Sequence, residues 1–294
     1  MEIKNLEFFK DKKIQNYEFI NGKYIVDTNN GKYLVEIYEG DLKSFLNLIR
    51  EKNLTLNKLN EKFAKIESSG FEDGHTFVIK KYVHKSNEIT SPKKQIEIGC
   101  EIGKVLRKLH DDSTIDDSNT WSKMYNYRIN NLIYNYSMTN FRGDKDYIVF
   151  DYIDKNRYLI DSRKLSNLYI YNNLEDIYVD DCQYDFNSNH TSYLADSFFE
   201  FRNINEIDEQ NRIFYYSLLK SYFGGKIPRL FYRILAIYTI VDILEPKLNG
   251  NSATDLTEEF DKILKIYNDF DCIVPVWIQE TEQKIKELSD EGKL

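Results

Sequence analysis

The stretch from Ile160 to Asp181, IDSRKLSNLYIYNNLEDIYVDD, decides the fold of this 294-residue chain. Asn167 follows Ser162 at a distance of five residues, and the hydrophobic Val179 comes directly before Asp180. A serine, an asparagine and an aspartate at fixed spacing are more informative than composition, because each side chain supports only certain chemistry. The fold and the function expected of the chain both depend on these positions.

This spacing resembles the active-site loop of the aminoglycoside phosphotransferase and choline kinase-like family. That family has the pattern H-G-D-x-x-x-x-N, followed after a short hairpin by a hydrophobic residue and a metal-binding aspartate. Ile160, Asp161 and Ser162 occupy the His-Gly-Asp positions here, Asn167 matches the asparagine, and Asp180 matches the metal-binding aspartate. The resemblance implies a site for Mg²⁺ with ATP or GTP, held by Asn167 and Asp180, in which the catalytic base is replaced by serine.

Ser162 cannot act as that base, because a hydroxyl neither accepts a proton near neutral pH nor carries a charge that orients an alcohol. Asp161 is one alternative catalytic residue. It lies one residue early, six positions before Asn167, so a one-residue bulge is needed to bring its carboxylate into place. The other interpretation is a loop aspartate that caps the following turn.

Glu36 stands in the third predicted strand, where the family places the Lys or Arg that binds nucleotide phosphates. A carboxylate at this cofactor-binding position repels phosphate. Lys32 shares its face of the strand but lies about 13 Å away, so it cannot substitute. Lys43 or Arg50 of the following helix is a candidate partner that would reverse the family's Lys-Glu pair; the alternative is a strand-edge glutamate that faces water.

The proposed metal pair also has a second interpretation. Carboxylate, amide and phosphate oxygens form a suitable magnesium shell, which needs only one or two protein carboxylates. However, Asp180 belongs to an acidic run, and such runs are usually solvated surface. Asn167 and Asp180 therefore either bind a metal or only hold the hairpin.

The resemblance implies an α+β, two-lobed, kinase-like fold with an N-lobe over residues 1–90 and a helical C-lobe over residues 91–294, and the pattern of predicted strands and helices follows that order. Turns at Asn21-Gly22 and Asn29-Asn30-Gly31 separate runs typical of an antiparallel meander. Two helices are expected over residues 41–51 and 56–66, then a turn at Asp73-Gly74 and one strand near residues 77–83. The catalytic-loop-like hairpin is placed at residues 158–182.

A helix is predicted from Pro92 to His110, with Ser91 as its N-cap and His110 capping its C-terminal end. Its G-x-x-L-x-x-L-H ending resembles the helix that opens the family's C-lobe. Later fragments beginning at Asp196 and Ser221 resemble C-lobe segments of bacterial members. Residues 125–154 contain no motif that indicates a role.

Composition excludes several classes of function. A net charge of −8 and a pI near 5.3 argue against binding to nucleic acid or to an anionic membrane, because both require clustered basic residues. No apolar stretch suggests a signal peptide or membrane span, so a cytoplasmic location is expected. Three scattered cysteines and four scattered histidines indicate neither a disulfide framework nor a zinc site.

Two functions are the main candidates, and a third, looser possibility is a purely structural or interaction protein whose cleft is filled by its own side chains. The first is a pseudokinase-like member of the family with lost or weakened phosphoryl transfer, which binds a small-molecule ligand or a protein partner. The second is a working ATP- or GTP-dependent phosphotransferase with Asp161 as a displaced base, assisted by a lysine such as Lys164. Its acceptor would be a hydroxyl group of an aminoglycoside, an amino-alcohol or a sugar-like compound.

Overall fold

The computed structural model describes residues 2–20, 23–43, 46–47, 66–82, 91–171, 179–181, 194–248 and 255–294. The chain divides into two compact units. One unit comprises Met1–Glu88 with Leu174–Asp180, and the other comprises Ile89–Asn173 with Asp181–Leu294. The first is built on an antiparallel sheet and the second is mainly helical, so the α+β class predicted from the sequence is confirmed.

The first unit contains a five-stranded antiparallel sheet in the order β1-β2-β3-β5-β4. Its strands are β1 (Ile14–Ile20), β2 (Lys23–Thr28), β3 (Gly31–Glu39), β4 (Ile66–Glu72) and β5 (His75–Lys81). Two turns lie where the sequence predicts them, while Asn21-Gly22 falls outside the described residues. Gly31 has φ +122°, and Asp73 and Gly74 have φ +47° and +80°, as a tight Asp-Gly hairpin requires.

One face of this sheet is apolar and covered by the N-terminal segment. Two short 3-10 helices, Ile3–Asn5 and Glu7–Phe9, pack onto it. Residues facing them on the sheet alternate in the chain, as one buried side of a strand requires; they include Tyr33, Val35, Phe77 and Ile79. Leu34, Glu36 and Tyr38 have the opposite parity on β3 and therefore lie on the other face of the sheet.

The predictions for the segment between β3 and β5 are only partly tested. Lys43, Leu46 and Asn47 are helical, as expected of the first helix. The expected helix over residues 56–66 lies outside the described residues except for Ile66, which begins strand β4. That strand was not predicted, because its sequence IESSGFE has polar residues and a glycine in place of the β-branched residues that favour strands.

The second unit contains seven α-helices among its described residues. They are α1 (Pro92–Ser113), α2 (Ser118–Ser137), α3 (Asp146–Asn156), α4 (Arg212–Tyr222), α5 (Arg229–Leu248), α6 (Thr257–Tyr267) and α7 (Val276–Asp290). Three short strands of this unit are β6 (Leu165–Asn167), β7 (Tyr169–Tyr171) and β9 (Leu194–Asp196). A fourth, β8 (Val179–Asp181), lies at the boundary, with Val179 and Asp180 in the first unit and Asp181 in the second. Strand β6 pairs antiparallel with β9.

Helix α1 packs against α4 through two glycines. A β-carbon at Gly99 would clash with the backbone carbonyl oxygen of Phe214, and one at Gly103 would clash with that of Leu218. The spacing of four residues places both glycines on one side of α1, so the two backbones approach directly. The glycine of the G-x-x-L-x-x-L-H fragment therefore has a packing role in this chain.

Helix α5 is the central helix of this unit, with 12 buried residues along its 20 positions. A helix that is apolar nearly all round lies in a core, and α2, α3 and α6 surround this one. None of the helices in the described ranges is both long and apolar enough to cross a membrane.

We predict that Gly103→Ala destabilises the protein by about 1–3 kcal/mol, the usual cost of an extra methyl group in a tightly packed contact. Lys104→Ala, on the exposed side of the same helix, is the matched control and should change the unfolding free energy by less than about 0.5 kcal/mol. Urea unfolding followed by circular dichroism measures both. Equal stability of the two variants would show that α1 and α4 do not pack through Gly103.

Candidate functional site

Glu36 lies on a central strand of the sheet and is buried, with 7% of its surface exposed. Its carboxylate forms an ion pair with Lys23 of β2 and lies 4.0 Å from the ammonium group of Lys80 on β5. The hydroxyl of Tyr38 donates a hydrogen bond to Oε2 at 3.1 Å. Glu36 is thus held by cations from both neighbouring strands.

These partners determine the charge of Glu36. Burial by itself would raise the pKa of the carboxyl group, but Lys80, Lys23 and the Tyr38 hydroxyl outweigh it and lower that pKa below its ordinary value. Glu36 is therefore ionised near neutral pH.

The sequence-based interpretations of Glu36 need correction. The expectation of a strand-edge glutamate facing water is wrong, because β3 lies between β2 and β5 and the side chain is buried. Lys43 pairs with Asp41 at 3.2 Å instead, and Arg50 lies outside the described residues. Lys80 was missed because the pairing of β5 with β3 joins residues 36 to 48 positions apart in the chain.

The two candidate catalytic residues lie in one short 3-10 helix, Arg157–Ser162, and both are exposed. The hydroxyl of Ser162 donates to the backbone carbonyl of Leu159 at 3.1 Å. The carboxylate of Asp161 accepts hydrogen bonds from Ser122 and from Asn126, the latter at 3.2 Å, both on α2. Asp161 thus binds side chains of α2 and does not cap the following turn, and its role as a base stays a prediction.

The residue after Ser162 forms a buried ion pair. Arg163 donates from Nε and Nη2 to Oδ1 of Asp196 at 2.9 and 2.7 Å. Asp196 is fully buried, and Arg163 stacks on the ring of Phe198 at 3.6 Å. Burial would lower the pKa of the guanidinium, but the charge of Asp196 raises it above its ordinary value.

Asp196 also connects this loop to the helices. Its Oδ1 accepts from the backbone N–H of Phe198 at 3.2 Å, and its Oδ2 accepts from the hydroxyl of Tyr238 on α5 at 2.6 Å. Trp121 of α2 donates in turn to that hydroxyl at 3.1 Å. From the sequence, Asp196 was recognised only as the start of a fragment; nothing local indicates that Arg163, 33 residues earlier, is its partner.

His110 is not a helix cap. Helix α1 continues to Ser113, and His110 is 2% exposed within it. Its Nδ1 lies 2.8 Å from the hydroxyl of Tyr222, and its Nε2 lies 3.6 Å from the carboxylate of Glu200. Ser91 does stand at the N-cap position of α1, but its side chain makes no capping hydrogen bond.

The predicted metal ligands are located only by their backbones. Asn167 ends β6, opposite Leu194, and Asp180 is the middle residue of β8. Both side chains lie outside the described part of the structure, so their role as a metal pair stays a prediction. Within the described ranges, no group of three His, Cys, Asp or Glu side chains is arranged to hold a metal ion.

Comparison with family models and with curated protein sequences finds no match. Solved structures similar to this chain include a choline kinase from Streptococcus pneumoniae, with 16% identity over 86% of this chain and 93% of that one and a TM-score of 0.43. Another is a choline/ethanolamine kinase family protein from Mesorhizobium loti, with 12% identity, 87% and 88% coverage and a TM-score of 0.47.

An aminoglycoside phosphotransferase, solved with streptomycin and ATP, is similar with 16% identity, 87% and 93% coverage and a TM-score of 0.47. Structures similar to this chain thus include an aminoglycoside phosphotransferase and choline or ethanolamine kinases, the classes of protein that the sequence resembles.

Glu36→Gln should destabilise the protein by on the order of 2 kcal/mol at pH 7, because it leaves two ammonium groups without their counter-charge. The pKa of Glu36 is lowered on folding, so its contribution is complete above about pH 4.5, its ordinary value, and is lost as pH falls through the folded-state pKa. The difference in unfolding free energy between the parent chain and Glu36→Gln should therefore shrink as the pH falls below about 4.5. Glu39→Gln, an exposed change on the same strand, is the control and should show no such difference in urea unfolding.

Asp196→Asn should cost about 3–5 kcal/mol, since it leaves the guanidinium of Arg163 buried without its partner. A matched control is the surface ion pair of the next residue after Arg163: Lys164 pairs with Asp116 at 3.0 Å. Asp116→Asn should cost less than about 1 kcal/mol, as exposed pairs do. Thermal unfolding of both variants tests the difference, and equal melting temperatures would contradict a structural role for Asp196.

Proposed function

We propose that this chain is a kinase-like protein of the small-molecule phosphotransferase type in which phosphoryl transfer is lost or greatly weakened, and that it acts by binding a small-molecule ligand or a protein partner. The observation that carries the proposal is the buried, ionised Glu36 with its two lysine partners. Phosphoryl transfer depends almost entirely on positioning and on neutralising phosphate charge. A carboxylate at this place in the sheet opposes that task.

A nucleoside triphosphate does not fit the residues around Glu36. The ammonium groups of Lys23 and Lys80 already compensate the Glu36 carboxylate, so a triphosphate would have to compete with that carboxylate for them. The exchange would also leave a buried carboxylate without its counter-charge, which costs free energy. The same contacts that stabilise the sheet therefore weaken any binding of phosphate there.

The loop supports the same proposal. Ser162 is bonded to its own turn and supplies no base, and the Asp161 carboxylate is held by two donors of α2. A general base has to reach the proton that it removes. Asp161 would have to give up both hydrogen bonds or turn its second oxygen to the acceptor.

A working phosphotransferase is the second candidate, and one observation favours it. Asp161 is exposed, and both of its donors reach the same oxygen, Oδ1, so its Oδ2 accepts neither of these two hydrogen bonds. In a working phosphotransferase, Asp161 would orient the acceptor hydroxyl, and Asn167 and Asp180 would hold magnesium. The acceptor would be an aminoglycoside, an amino-alcohol or a sugar-like alcohol.

Nucleotide binding distinguishes the two candidates. A ligand at one hundred times its dissociation constant stabilises a protein by about 2.7 kcal/mol, which raises the melting temperature by several degrees. We expect no magnesium-dependent shift with ATP or GTP. A shift of that size with either nucleotide would contradict the loss of nucleotide binding.

Asp161→Asn completes the test in a phosphoryl-transfer assay with a panel of acceptor alcohols. Loss of a general base lowers the rate by a factor on the order of 10²–10⁴, whereas the proposal predicts that any residual transfer is unchanged. Asp116→Asn, a nearby surface carboxylate, is the control. A selective loss of transfer in Asp161→Asn, with an unchanged melting temperature, would establish the active enzyme.

A further inference from the structure

Helix α2 carries a row of residues on its outer side, which we call the α2 stripe: Met124, Tyr127, Asn131, Tyr134 and Met138, which directly follows the helix. The two methionines are 46% and 62% exposed and the two tyrosines 68% and 63%, and the half-buried Asn131 lies in the middle. The members recur at alternating intervals of three and four residues, so they lie along one side of the helix. The buried residues of α2 have a different phase, which places the stripe on the side away from the core.

The stripe has the chemistry of an interface. Neither tyrosine makes a ring contact or a side-chain hydrogen bond with the part of the chain that the structure describes. Between Met124 and Phe141 the only charged residue is Arg128, and its guanidinium is bound by Asp242 and Glu245 of α5 at 2.9 and 2.8 Å. Interface centres are enriched in Tyr and Met and depleted of charge in the same way, and contiguous exposed apolar surface marks interaction sites.

The order of the residues indicates the partner. On either side of Asn131 the stripe has first a tyrosine and then a methionine. Tyr127 and Met124 lie four and seven residues before Asn131, and Tyr134 and Met138 lie three and seven residues after it. A surface that is the same in both directions is complementary to itself about a two-fold axis. We propose that the α2 stripe binds a second copy of this chain, with the two α2 helices antiparallel and the axis at Asn131.

In this arrangement Met124 faces Met138 of the other copy, and Tyr127 faces Tyr134. The two Asn131 side chains meet on the axis, where each amide is able to donate to the carbonyl oxygen of the other. A single polar residue in the middle of an apolar helix seam is a known way to fix register and partner number. The contact of Asp161 with α2 lies on a different side of that helix and is not disturbed.

Area and charge are both consistent with a weak, specific dimer. With about 200 Å² for a large side chain, the exposed fractions of the four apolar members give about 480 Å² per copy. Both copies with their flanking polar residues then reach about 1,000 Å², near the lower limit of specific interfaces. The chain carries a net charge of −8, so an uncharged side is also where two copies repel each other least.

Sedimentation equilibrium of the full chain tests the proposal. We expect reversible association to twice the chain mass of 35.1 kDa. A chain that remains monomeric at about 100 µM, well above the micromolar constants at the weak end of such interfaces, overturns the proposal.

Exchange of the facing tyrosines tests the register. Tyr127→Lys alone and Tyr134→Glu alone should each raise the dissociation constant about tenfold or more. The double variant should recover association, because the introduced ammonium group of each copy then faces the introduced carboxylate of the other. In a parallel pair like charges would meet, and no recovery would occur.

Tyr147→Lys, a change at a tyrosine of α3 that is 66% exposed, is the control for this exchange and should leave the dimer intact. Loss of association in the control, or no recovery in the double variant, overturns the proposal.

A cross-link gives a second measurement that does not depend on replacing the tyrosines. Asn131→Cys on the axis should form a disulfide-linked dimer under mild oxidation. Asn119→Cys, at an exposed position on another side of α2, should give no more covalent dimer than the parent chain with its own cysteines. Equal cross-linking of the two variants contradicts an axis at Asn131.

Discussion

The helical unit depends on the ion pair and hydrogen bonds of the buried Asp196 carboxylate. Removing an ionised group from water costs several kcal/mol, and Asp196 offsets this cost with Arg163, the N–H of Phe198 and the hydroxyl of Tyr238. These partners come from the loop, from a 3-10 helix and from the central helix α5. Since none can move without leaving a buried charge unpaired, the position of the loop is fixed by electrostatics as well as by apolar packing.

Glu36 shows how a buried carboxylate can hold neighbouring strands together, whatever chemistry the sheet supports. A buried ion pair between adjacent strands holds them in the same way whichever strand carries the carboxylate. Phosphate recognition differs, because it requires the positive member of the pair at a defined place. In the first unit the carboxylate lies on β3 and the lysines lie on β2 and β5. The proposed loss of phosphoryl transfer rests on this placement of the charges.

Much of the fold was predictable because its signals are local. The turn at Asp73-Gly74 and the apolar periodicity of α1 each occupy a short stretch of consecutive residues, and both were placed correctly. Strand β4 was missed because it is an edge strand held by packing. Its Gly70 lies opposite Phe77 of β5, and the ring of Phe77 lies 3.0 Å from the position that a β-carbon on residue 70 would occupy. Helices α2 and α3 were missed in a segment of mixed polar and aromatic residues, where tertiary packing outweighs weak intrinsic propensity.

The sequence by itself determined the α+β class of the fold and placed a serine at position 162 and a carboxylate at position 36, because each follows from residue identity or from a local pattern. The tertiary structure alone decided the partners: Lys80 for Glu36, Asp196 for Arg163 and α2 for Asp161. The physical reason is that a charge is stabilised by whatever lies within a few ångströms of it. Distance in space between residues so far apart in the chain is set only when the whole unit packs.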